Sequence, residues 1–131
     1  MTGPWTAVEW IGRILFCALF LSSGLAHLTQ RAGMTGYAQS KGVPAAGAAV
    51  VATGLMQLVG AVFILLNWHP VLGYLLLVAF LIPTAFMMHN FWTLSDPMQK
   101  VGDRAHFMKD ISLAGAALMF AAILYRAGYG L

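Results

Sequence analysis

The chain has 131 residues, 60% of them hydrophobic and only 8% charged, against roughly 25% charged in soluble domains. That balance excludes a water-soluble catalytic domain, and a net charge of +3 with no basic run argues against nucleic acid as a partner. A single cysteine, Cys17, excludes an intrachain disulfide.

In chain order, residues 8–28 form the first predicted span, apolar apart from Glu9, Arg13, two serines and His27, and about 20 residues suffice to cross a bilayer. Glu9 precedes the first arginine, and Ser23-Gly24-Leu25-Ala26-His27 is a poor cleavage site, so the segment reads as retained and not as a signal peptide. At helical spacing Glu9, Arg13, Cys17, Phe20, Gly24 and His27 fall on one stripe, which is expected to face protein. Residues 29–44 read as a polar connector ending in Gly42-Val43-Pro44, an extended or turn signal.

Residues 45–66 are the second span. Ala45, Ala49, Gly54 and Gly60 allow close backbone approach, and Gln57 is its one interrupting polar side chain. Asn67-Trp68-His69-Pro70 is a tight turn with an interfacial Trp, followed by a third span over residues 71–89 that contains Pro83; a bend is expected there. Phe86-Met87-Met88-His89-Asn90-Phe91-Trp92 closes it, the pattern of a helix emerging at headgroup level. Residues 90–106 form a second connector, with Asp96-Pro97 marking a turn or helix start, and residues 107–125 are the fourth span, with Lys109 and Asp110 at its beginning.

The expected fold is therefore all-α, an integral membrane antiparallel four-helix bundle in a single domain over residues 1–131. Lys and Arg favour the connector side (Arg31, Lys41, Lys100, Arg104, Lys109) over the terminal side (Arg13, Arg126). The positive-inside rule then places the connectors in the cytoplasm and the termini outside, in a multi-pass cell-membrane protein.

Depth arithmetic sorts the polar residues into two layers. His27 to Arg13 spans about 21 Å and Ala45 to Gln57 about 18 Å at 1.5 Å per residue, so Glu9, Arg13 and Gln57 are expected to form a deeper buried layer. An arginine in a span is costly, and either a buried pair or snorkelling to the interface accounts for it. His27, His89 and Asp110 are expected in a shallower layer near the connectors, with Trp92 and Phe91 as an apolar wall. The histidines lack the paired spacing of metal-binding helices, and Lys109 and Arg104 nearby oppose a cation, so no metal is expected there.

Arg13, Ser23-Gly24-Leu25-Ala26-His27-Leu28, Gly42-Val43-Pro44, Gln57-Leu58-Val59-Gly60, His89-Asn90-Phe91-Trp92 and Phe107-Met108-Lys109-Asp110, in this order across four spans, resemble the DoxX family of small four-helix membrane proteins. Members usually carry Lys at the place of His27, Glu at Gln57 and Asn at Asp110, so this chain departs from the pattern at all three. The resemblance implies association with membrane oxidoreductase complexes, including quinone-dependent sulfur oxidation. On that basis the expected role is a membrane subunit of an oxidoreductase assembly. It would bind a quinone-like molecule between His27, His89, Trp92 and Asp110, in contact with the lipid bilayer and with redox protein partners or further copies of itself. Two other readings stay open, a small-molecule or lipid transporter and a purely structural assembly subunit.

Overall fold

A computed structural model describes residues 3–131. Five helices follow in order: α1 (Pro4–Thr29), α2 (Arg31–Ser40), α3 (Ala46–Leu65), α4 (Pro70–Met88) and α5 (Pro97–Arg126), with a 3-10 turn at Phe91–Thr93 between the last two. No strand occurs among the described residues. By length and composition α1, α3, α4 with its 3-10 turn, and α5 can each cross a membrane. Outward side chains such as Ile11, Leu15, Met119 and Ile123 are exposed and apolar, the surface a lipid solvent requires.

Two expected connectors are more structured than their polarity suggested. Residues 29–44 contain α2, because Met34 and Ala38 fall on one helical face and pack with Val43, Ala46, Val50 and Met88. The helix that carries the fourth span starts ten residues before 107: Asp96 caps α5 by accepting a hydrogen bond from the Met98 amide at 3.0 Å, and Pro97 fits the first helical position, where its missing N–H costs nothing. Pro83 lies within a continuous α4.

The long helices pack sequentially and antiparallel: α1 on α3, α3 on α4, α4 on α5. The row curls, so that Cys17 and Phe20 of α1 share a core with Tyr74, Leu77 and Leu81 of α4 and Ala114, Ala117 and Ala121 of α5. Two glycine pairs fix the spacing. A Cβ on Gly24 would lie 2.9 Å from the Gly54 carbonyl oxygen, and one on Gly54 would lie 2.7 Å from His27 Cβ. Between α3 and α4, a Cβ on Gly60 would lie 2.9 Å from the Gly73 oxygen. With no aqueous hydrophobic drive between helices in lipid, such close backbone approach is what holds them together. The α1/α3 crossing in turn seats His27 against Val50.

Gly54→Ala is therefore expected to force α1 away from α3 and to cost about 1–3 kcal/mol, as overpacking does. Gly47→Ala serves as the control, because its new Cβ meets only Thr35 Cγ2 at an ordinary 3.8 Å. Thermal unfolding in detergent should show a lowered midpoint for the first and none for the second; equal midpoints would remove the glycine crossing as a constraint.

Candidate functional site

At the turn side of the helices, Arg13 donates to the Ile64 carbonyl at 2.9 Å and to Asn67 Oδ1 at 3.1 Å, while its Nε reaches Glu9 Oε1 at 3.1 Å. Asn67 passes the contact on to the Tyr129 hydroxyl at 3.3 Å. The guanidinium, 8% exposed, thus satisfies a last-turn carbonyl of α3 and sits favourably at that helix's negative end. Its layer lies near the α3–α4 turn, and Glu9 is more than half exposed.

Gln57 does not belong to that layer, contrary to the depth arithmetic. His27 pairs with Val50 and Arg13 with Ile64, so α3 begins above the end of α1 and the register between them is offset. Gln57 ends up seven residues, roughly 10 Å, from Ile64 along α3. It is fully buried, and neither its Nε2 nor its Oε1 has a hydrogen-bond partner among the described residues.

That unpaired amide lines a partly open cavity of about 490 Å³ toward the connector end, walled by all four long helices with α2 and Val43-Pro44. Its surface is mostly Leu, Phe, Val and Met, including Phe20, Phe80 and Met88, with Ser23, His27, Thr53, Gln57, Thr84, His89, Lys109 and Asp110 as polar points. His27 Nδ1 lies 3.0 Å from the Val50 carbonyl and 3.1 Å from Thr53 Oγ1, whose own hydroxyl donates to the Ala49 carbonyl at 2.7 Å. A carbonyl can only accept, so Nδ1 carries a proton, and in the neutral ring Nε2 is then the acceptor.

Around His89 a charged cluster forms at the cavity rim. Nδ1 lies 3.8 Å from Asp103 Oδ1 and Nε2 lies 3.6 Å from Asp110 Oδ2, both longer than a hydrogen bond. The His106 ring stacks on His89 with centroids 5.0 Å apart. Lys109 Nζ lies 3.8 Å from Asp110 Oδ1. Lys41, at the end of α2, donates to Asp103 Oδ2 and to Asn90 Oδ1, each at 3.2 Å.

His27, His89 and Asp110 thus line one cavity. Trp92 does not. The 3-10 turn carries its ring to the outer side of the α4–α5 hairpin, where it packs on Phe86, Phe91 and Phe107 and stays half exposed. Lys41, Thr53, Asp103 and His106 escaped the sequence reading. Asp103, His106 and Asp110 follow i, i+3, i+7 spacing, and this one-face signal becomes visible once α5 starts at Asp96. No group of three or more His, Cys, Asp or Glu among the described residues is arranged to hold a metal ion.

The sequence matches the family model described as DoxX over residues 9–90, more than half of the chain. His27, Gln57 and His89 lie within the matched segment, whereas Asp103 and Asp110 lie beyond it. No curated protein and no solved structure matches the chain.

The Lys41–Asp103 pair, with side chains 14% and 16% exposed, is expected to pin α2 over the cavity. Lys41→Met should lower stability by about 1–3 kcal/mol, because it strands a half-buried carboxylate. The double variant Lys41→Met/Asp103→Asn should recover part of the loss. A double-mutant cycle of unfolding midpoints in detergent measures the coupling, and additive losses would show that the pair does not bind α2 down.

Proposed function

The chain belongs to the DoxX family and is a multi-pass membrane protein, and from that premise we propose that it binds a quinone-like small molecule in the cavity beneath α2, as the membrane subunit of an oxidoreductase assembly whose partners carry the redox cofactors. The observation that carries this reading is Gln57. A buried amide with both its donor and its acceptor unpaired costs about 1–3 kcal/mol, and it lines an otherwise apolar cavity of the size that takes small ligands. A ligand with an apolar body and a polar head supporting both carbonyl and hydroxyl forms fits this lining. Gln57 offers NH₂ to a carbonyl and C=O to a hydroxyl, and His27 Nε2 offers a lone pair to a hydroxyl. Quinone and quinol are the two states of such a head.

The lysine and arginine bias toward the connector end supports placing this cavity at the cytoplasmic face of the cell membrane. The apolar lining also suits a lipid or small-molecule carrier, and flux of a tracer into liposomes containing this chain alone would favour that second reading.

Gln57→Leu separates a ligand site from a packing fault. The substitution removes an unpaired amide at nearly constant volume, so the ligand-free protein should melt higher, by an amount corresponding to about 1–3 kcal/mol. Binding of a short-chain benzoquinone, followed by quenching of tryptophan fluorescence, should weaken roughly tenfold, the value of one lost hydrogen bond in a desolvated site. If the parent and the variant bind the benzoquinone alike, Gln57 holds no ligand and the quinone reading is lost.

A further inference from the structure

We propose that Asp103, His89 and Asp110 form a proton relay from the connector-side surface to the head of the molecule bound in the cavity; this rests on the quinone reading above. The imidazole of His89 faces a different carboxylate with each nitrogen: Nδ1 toward Asp103 Oδ1 at 3.8 Å and Nε2 toward Asp110 Oδ2 at 3.6 Å. A ring so placed takes a proton at one nitrogen and gives one from the other. Shifts of about 1 Å in the carboxylates would bring both gaps to hydrogen-bonding distance.

The two carboxylates differ in what they reach. Asp110 and His89 line the cavity, and Asp103 does not. Asp103 is the more exposed of the pair, and Lys41 occupies its Oδ2, leaving Oδ1 toward His89. Lys109 meets Asp110 on Oδ1, leaving Oδ2 toward His89. The inner oxygens are thus set up for the ring, and the outer ones are held by lysines. His106 stacks on His89 from α5, Lys41 reaches the cluster from the end of α2, and His27 of α1 stands on the cavity wall.

Reduction of a quinone to a quinol takes two electrons and two protons. The electrons come from a reduced flavin or iron–sulfur partner. Protonated Asp110 gives its O–H proton to one ring oxygen. The neutral His89 ring, with its proton on Nε2, hands that proton to the carboxylate left behind as its free Nδ1 takes one from the Asp103 carboxyl, which takes its own from water; exchange with solvent returns the ring proton from Nδ1 to Nε2 before the next turnover. The second ring oxygen takes its proton from water directly.

The test uses the purified chain in phosphatidylethanolamine/phosphatidylglycerol nanodiscs, with ubiquinone-1 below stoichiometry as probe and dithionite as electron donor. Binding is read by tryptophan quenching and reduction by stopped-flow loss of quinone absorbance from pH 5.5 to 8.5. Asp103→Asn is the diagnostic variant, and Lys41→Met, which breaks the same ion pair but keeps the carboxylate, controls for loosening of α2: reduction of the bound quinone should slow roughly tenfold or more with a flattened pH dependence in the first, as for loss of a general acid–base group, and keep its pH dependence in the second. His89→Gln should slow reduction at least as much, and imidazole added to His89→Ala should restore it. A merely structural role would move neither the pH profile nor the imidazole response. Wild-type rates and pH profiles in Asp103→Asn and His89→Gln, with ubiquinone-1 still bound, would overturn the relay alone. If the parent chain fails to bind ubiquinone-1, the quinone reading falls and the relay falls with it.

Discussion

Inside a bilayer no water is at hand to repair a missing hydrogen bond, so each polar side chain entering the helix array must be met by another protein group or pay several kcal/mol. Most of this chain obeys that constraint closely. Arg13 is met by Glu9, the Ile64 carbonyl and Asn67; His27 by the Val50 carbonyl and Thr53; Lys41 by Asp103 and Asn90. Against that background the amide of Gln57 stands apart, fully buried with both its atoms unmatched, beside the single unmatched nitrogen Nδ1 of His89. A helix array that satisfies a guanidinium through two separate carbonyl-type acceptors has the means to satisfy an amide. That contrast is why Gln57 supports a ligand site better than an accident of packing does.

The glycine crossings connect this polar accounting to the backbone. Gly24 and Gly54 let α1 and α3 approach until His27 Cβ fills the space a side chain on residue 54 would need, and that approach brings the imidazole within reach of Val50 and Thr53. Larger residues at the crossing would widen the gap and free Nδ1, and with it the tautomer. The backbone of α1 runs close to that of α3, while α1 meets α4 and α5 through side chains such as Phe16, Cys17 and Phe20, so the concave side of the helix row keeps room for a cavity.

The four spans were legible because hydropathy over about 20 residues reports directly on the solvent the helix needs, and the family resemblance carried by motifs such as Gly24-Leu25-Ala26-His27 and Gln57-Leu58-Val59-Gly60 was equally plain. Boundaries outside the apolar core were not. The first half of α5 is polar on most of its surface and looked like a loop, although the Asp96-Pro97 cap announced it. Helix α2 was hidden for the same reason, being short, with Gly33 and Gly36 diluting its signal and only Met34 and Ala38 touching the core. Missing these two elements meant missing Lys41, Asp103 and His106. The misplacement of Gln57 has a different origin: residue counts give depth along each helix, but the relative offset of two helices is set where their side chains interlock, and no single-helix count contains it.

The way the candidate site divides along the chain carries a further consequence. Residues 9–90, which match the family, hold the cavity's deep polar points His27 and Gln57 and the ring of His89. The carboxylates that flank that ring come from α5, beyond the matched segment, and their lysine partners come from the end of α2 and from α5 itself. A neutral head can be held by the first set without any help from the second, since an amide and a neutral imidazole suffice for a carbonyl or hydroxyl. In the proposed site, charge handling at the rim is therefore separable from ligand holding at the floor: the floor would select the head, and the rim would govern how protons reach it. His89 is the one residue that belongs to both, placed where α4 ends and the chain leaves the apolar layer, because only there can a ring touch the cavity with one edge and groups near water with the other.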